Sequence, residues 1–192
     1  MNIFVLDENP LVAAADMCDK HVPKMIVESA QMLCTAHRVL DGTSYIDYAK
    51  NGRKLQRWSH STDSQGGSTN LYKAAMVNHP CTKWVRESSD NYLWLSLHSI
   101  QLLKEFTTRF GGAHGSSHVL RWCTKNMPNN ISVKEQTSFV QAMPDEYKGE
   151  SAVTAYRNYY YGEKISFAKW DKKIESKPLW WTDRINDGII TV

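Results

Sequence analysis

The chain has 192 residues, 42% hydrophobic and 11% aromatic, with 23 Lys and Arg against 20 Asp and Glu and a net charge of +3. That suits one packed domain over 1–192 and a mildly basic surface compatible with nucleic acid. No stretch approaches the ~18 uninterrupted apolar residues of a transmembrane span, so no membrane partner is expected. The four cysteines, at 18, 34, 81 and 123, are too scattered for a disulfide-dense secreted scaffold.

The start, MNIFVLDENP, has no basic leader and no long apolar run. A cytoplasmic location is therefore expected, the host cytoplasm if the chain is viral. Residues 2–6 read as a short strand or an extended start. Asp7 to Pro10 is a turn or N-cap signal. A helix begins near Leu11, meets Pro23 and runs to about Leu40. Pro23 either kinks this helix or sits in the first turn of a second one. Asp41-Gly42 stops it.

Residues 43–78 are the least regular and read as an insertion. Tyr45 to Tyr48 reads as a short helix. Lys50, Arg53, Lys54 and Arg57 form a basic cluster ending in Trp58. The polar, Gly/Ser-rich run 59–70 reads as a flexible loop. Asn78-His79-Pro80 opens the clearest long helix, with a break near Ser88 to Asn91 and a stop at Gly111-Gly112. A short helix follows near His118 to Lys125, then a turn over Met143 to Gly149. The last helix spans about 150–170, and 177–192 is an aromatic tail. The fold class is mainly α: a compact helical bundle with long irregular loops and little or no sheet.

One polar stripe stands out. At about 100° per residue, Lys20, His21, Lys24, Glu28, Gln31, Thr35 and Arg38 fall on one side of the first long helix, with Val22, Ile26, Leu33 and Leu40 opposite. Cations, a carboxylate, an amide and an imidazole together can hold a phosphate or activate a water. The same groups can equally form an ordinary wetted face. Asp7 and Asp19 stand near it as carboxylates or caps.

Two Cys-x2-His doublets, Cys18/His21 and Cys34/His37, have the spacing of zinc ligands. Sixteen residues of helix, about 24 Å, separate them, so they do not converge on one ion. No metal and no cofactor is expected. There is no Walker A loop, dinucleotide fingerprint or nucleophile elbow.

Three islands carry a resemblance. They are Val22-Pro23-Lys24, Met143-Pro144-Asp145-Glu146-Tyr147-Lys148-Gly149, and Lys177-Pro178-Leu179-Trp180-Trp181, with Asn78-His79-Pro80 beside them. In this order they resemble the phage pyrimidine-dimer DNA glycosylase/lyases of the endonuclease V type. The resemblance implies a mostly helical protein that grips DNA and cleaves an N-glycosidic bond. In that family a free N-terminal amine attacks the sugar, a helical glutamate stabilises the sugar cation, and arginines hold phosphates. Here Met1 would supply the amine, and Lys20 and Lys24 fall where the arginines would. His21 occupies the glutamate position, flanked by Asp19 and, two turns on, Glu28.

The leading expectation is a phage-encoded, DNA-directed enzyme acting at a nucleobase or its glycosidic bond. Its catalytic residues would be His21, Glu28, Asp19 and Met1. Lys20, Lys24, Gln31, Arg53, Lys54, Arg57, Trp58, His79, Arg86, Arg157, Trp180 and Trp181 would bind DNA. The alternatives are an enzyme on free nucleotides and a non-catalytic DNA-binding or host-interaction protein.

Overall fold

The structure is a computed structural model that describes residues 1–64 and 71–186. It is mainly α, with one two-stranded sheet among the described residues. Helix α1 (Pro10–Ala15) starts at Asn9, whose side chain accepts the Leu11 N–H at 2.9 Å. The long helix α2 (His21–Asp41) begins after a turn at 16–20, and Pro23 falls in its first turn. Of the two placements open to Pro23, the second holds: there the missing N–H leaves no partner wanting. Thirteen of the 21 residues of α2 are buried, so this helix runs through the core.

The expected helix at Tyr45–Tyr48 is a strand. β1 (Thr43–Tyr48) pairs antiparallel with β2 (Lys54–Ser59), Tyr45 opposite Arg57 and Tyr48 opposite Lys54. The Tyr-Ile-Asp-Tyr run favours a pleated ribbon, and Asn51-Gly52, with Gly52 at φ +78°, turns it back. Gly42 sits where the hairpin crosses the end of α2. A Cβ there would overlap the carbonyl oxygens of Arg38 and Ser59. Gly42→Ala should therefore cost about 2–3 kcal/mol of stability. Chemical denaturation checks this; an unchanged midpoint would mean that the hairpin simply swings away.

The long helix predicted from Asn78 divides where Ser88 to Asn91 suggest. Helix α3 (Pro80–Val85) is capped by His79, whose Nδ1 accepts the Cys81 N–H. Helix α4 (Ser89–Phe110) is capped by the Ser88 hydroxyl and ends at Gly111 and Gly112, both at φ +70°. Helices α5 (Ser117–Lys125), α6 (Ala152–Lys164) and α7 (Leu179–Asn186) are the remaining α-helices among the described residues. The last predicted helix ends at Lys164 rather than near 170. Helices α3, α4 and α5 pack on α2, and α1 packs on α4. Of the loop expected at 59–70, residues 65–70 lie outside the described residues, while 61–64 form a single 3-10 turn. Among the described residues no helix is long and apolar enough to cross a membrane.

Candidate functional site

The polar stripe of α2 is neither a wetted face nor an open cleft along its whole length. An irregular segment, 71–79, runs back along it. Arg38 donates to the carbonyls of Leu71 (2.8 Å), Tyr72 (2.7 Å) and Trp58 (2.9 Å), and forks onto Asp63 at 2.7 and 2.9 Å. One turn back, the Thr35 hydroxyl accepts the Ala75 N–H at 3.0 Å. A segment without regular structure has backbone groups that need partners, and the stripe supplies them. What remains accessible is the first half: Lys20 and Lys24 exposed, Glu28 and Gln31 half-buried.

There the chain start meets the helix. The Met1 α-amino group lies 3.7 Å from Glu28 Oε2, the same oxygen that accepts the Asn2 N–H at 2.7 Å. Lys24 Nζ stands 3.8 Å from the other carboxylate oxygen. The Glu28 side chain is 15% exposed, enough to reach a ligand and too little to move freely. The first residues are held from several sides. Asn2 donates to the Ala142 carbonyl at 2.8 Å, and its own side-chain oxygen accepts the Ile3 and Phe4 N–H groups. Tyr156 on α6 in turn fixes 140–142, donating to the Val140 carbonyl and accepting the Ala142 N–H. Residues Ile3 to Leu6 are buried. The amine is thereby positioned by packing of the whole N-terminal segment.

His79 adjoins this pair. Burial first, and the nearby Met1 ammonium second, hold its imidazole below the ordinary value, against the pull of Glu28. Because Nδ1 accepts the Cys81 N–H at 3.2 Å, the proton of the neutral ring sits on Nε2, a donor. The Thr82 hydroxyl contacts Met1 Sδ at 3.0 Å, and Arg86 donates to the Thr82 carbonyl at 3.0 Å. Of the residues named from sequence, the fold brings together Met1, Lys24, Glu28 and His79, with Arg86 just behind. Asn2, Thr82 and Ala142 join them unannounced by any motif; no local pattern marks residues 80 and 140 positions away.

The other candidates lie elsewhere. His21 is buried among Phe4, Phe167 and Tyr160 and hydrogen-bonds the Tyr160 hydroxyl through Nδ1. Burial, with help from Lys24, Lys164 and Lys20, pushes its pKa down to about 3, so it is neutral near pH 7. Asp19 is spent on Arg109 (3.1 Å) and on the Lys172 N–H (3.0 Å). Lys20 lies over the Phe167 ring. Arg157 donates to the Leu6 carbonyl, pairs with Asp7 at 3.5 Å and stacks on Trp180. Trp180 donates to Asp16 at 2.7 Å, and Trp181 is buried against Tyr161 and Trp170. Both tryptophans dock the C-terminal helix onto the body of the protein.

Arg53, Lys54, Arg57 and Trp58 belong to the hairpin. Arg53 and Lys54 are exposed, Arg57 reaches Asp47 at 3.6 Å, and Tyr45, Ile46 and Tyr48 stand 49–61% exposed beside them. The zinc-like doublets part company: Cys18 lies near Tyr160, whereas His37 meets Tyr92 at 2.8 Å. Comparison with protein-family models, curated proteins and solved structures finds no match to this chain.

Proposed function

We propose that the chain is a DNA-directed enzyme acting at an N-glycosidic bond, with the Met1 α-amino group as nucleophile and Glu28 as its carboxylate partner. The observation that carries this reading is the 3.7 Å approach of a held amine to a half-buried carboxylate. An amine is a nucleophile for a sugar carbon only when neutral, and a nearby base and desolvation are what activate it. The neutral amine attacks C1′ of the deoxyribose. The bond from C1′ to the base breaks, and the base leaves with the electron pair and a proton from the amine. Ring opening then moves the second amine proton to O4′ and leaves an imine between C1′ and the Met1 nitrogen. Glu28 relays these protons and offsets the positive charge that builds on the sugar. Lys24, exposed one turn away, is suited to a flanking phosphate.

The hairpin favours a polymer over a free nucleotide. Exposed Tyr45 and Tyr48 among Lys50, Arg53 and Lys54 combine stacking faces with cations, the pairing that tracks a nucleic-acid backbone. A lone nucleotide has nothing to lay along such a ribbon.

The reading is tested with a duplex carrying one abasic site, incubated with the protein and borohydride. The expected result is a covalent adduct, absent with the tetrahydrofuran analogue, that peptide mapping assigns to the Met1 nitrogen. Placing one extra residue before Met1 should abolish it. Salt-dependent DNA binding with no adduct would leave only a binding protein, and an adduct on a lysine would displace Met1 from its role.

A further inference from the structure

A second cluster lies near the other end of α2, independent of the amine. His37 and Asp41 are i and i+4 on the last turns of the helix, and His60 comes from the segment just after β2. One donor atom from each of the three falls within 4.8 Å of the others. They border a cleft of about 590 Å³ that Ser61, Lys125, Asn126 and Asn129 also line. Nine residues separate Glu28 from His37, about 14 Å along the helix and half a turn out of phase, so the two sites use opposite sides of α2.

We propose that His37, Asp41 and His60 bind a divalent cation of the zinc class. Two imidazoles and one carboxylate suit zinc and its neighbours and do not suit magnesium or calcium, which take oxygen ligands. Each donor is oriented by a hydrogen-bond partner, and in His37 and Asp41 that partner leaves the coordinating atom available. The Tyr92 hydroxyl gives its proton to the Cys123 carbonyl (3.0 Å) or the Asn126 carbonyl (3.3 Å). Its oxygen therefore accepts from His37 Nε2 at 2.8 Å, and His37 Nδ1 is left with a free lone pair. His60 Nδ1 is engaged by Thr62, by the hydroxyl at 3.0 Å and the backbone N–H at 3.3 Å. Because Nδ1 accepts that N–H, the unbound ring carries its proton on Nε2; coordination through Nε2 moves the proton to Nδ1, where the Thr62 hydroxyl accepts it and the Thr62 N–H contact is given up. Asp41 accepts the Asn129 N–H on Oδ2 (2.7 Å) and the Asn130 N–H on Oδ1 (2.9 Å), one bond per oxygen, so lone pairs remain. Such hydrogen-bonded supports are what metal ligands commonly have behind them. The Trp122 ring lies tilted against His37, centroids 4.9 Å apart, and walls one side.

Tetrahedral ligands at about 2.05 Å from zinc stand about 3.3 Å apart. The cluster must close by an ångström or so, and half-buried His60, on a short connection, is the member free to do it. Three protein ligands leave a fourth position open to the cleft. The ion ties the end of α2 to the segment that leaves the hairpin.

The test is calorimetric titration of the metal-stripped full chain with zinc chloride, alongside the visible spectrum of the cobalt form. One equivalent should bind at micromolar metal, raise the melting temperature, and give a cobalt spectrum of nitrogen and oxygen ligands. His60→Ala and Asp41→Asn should each weaken binding by about 100-fold or more, above the loss typical for a supporting residue. Both positions lie at the surface side of the cluster, so a circular dichroism spectrum unchanged from the parent separates ligand loss from misfolding. Exposed His118→Ala should leave the titration as it was. Binding that survives both ligand substitutions, no binding at all, or a strong thiolate-to-cobalt charge-transfer band pointing to Cys34 or Cys123 would each overturn the proposal.

Discussion

Arg109→Leu should lower the free energy of unfolding by about 3–5 kcal/mol, the largest single loss expected in this chain. The Arg109 side chain has no exposed surface. Its guanidinium donates to the Met17 carbonyl (2.7 Å), the Ala15 carbonyl (2.8 Å), Asp19 (3.1 Å) and Glu105 (3.0 Å). Glu105 is itself buried, with Lys173 at 3.4 Å as its other cation. Leucine fills part of the volume and satisfies none of these groups. It strands a buried carboxylate and two carbonyls, and the stranded groups, more than the lost attraction, set the cost. Arg109→Lys should recover part of the loss, since an ammonium keeps the charge and loses the planar fork. Urea denaturation reads both, and a loss for Leu under about 1 kcal/mol would place the cluster with ordinary surface pairs. The consequence reaches beyond stability. Arg109 ties the last turn of α4 to the 15–19 turn that aims α2, so loosening it should also disorder the seat of Glu28.

Glu28→Gln should act in the opposite sense, sparing the fold and removing the chemistry. The amide oxygen can still accept the Asn2 N–H, so stability should stay within about 1 kcal/mol of the parent. The charge that faces the Met1 amine is gone. On the proposed mechanism, single-turnover imine formation at an abasic site, read by borohydride trapping, should slow about 100- to 1,000-fold, the range for removing one electrostatic stabiliser of a transition state. Affinity for the duplex should change little, because Lys24 and the hairpin cations remain. A rate within threefold of the parent would remove Glu28 from the mechanism while leaving the amine as nucleophile. Loss of both rate and duplex affinity would place Glu28 in binding.

The sequence was most legible where a local rule decides. Asn9-Pro10, Ser88 and Gly111-Gly112 mark their helix ends because a side-chain cap, a proline ring or a left-handed φ acts within one turn. No local rule decides Tyr45–Tyr48, since a short apolar and aromatic run fits either period and the partner strand settles the matter.

The polar stripe on α2 was visible as a pattern, but its meaning was not. Seven residues with the same spacing and similar chemistry divide into three fates. Thr35 and Arg38 serve the backbone of 71–75, His21 serves Tyr160, and only Lys20, Lys24, Glu28 and Gln31 remain within reach of solvent. Helical period reports which residues share a side; it carries no information about what lies over that side. The sequence by itself determined the mainly helical character, most helix ends and the presence of charged groups on one helix. Tertiary structure alone decided that the first residue meets Glu28 and that His37 and Asp41 meet His60. Each meeting joins residues more than a dozen positions apart, and contacts of that range are set by how whole elements pack, which no local spacing encodes.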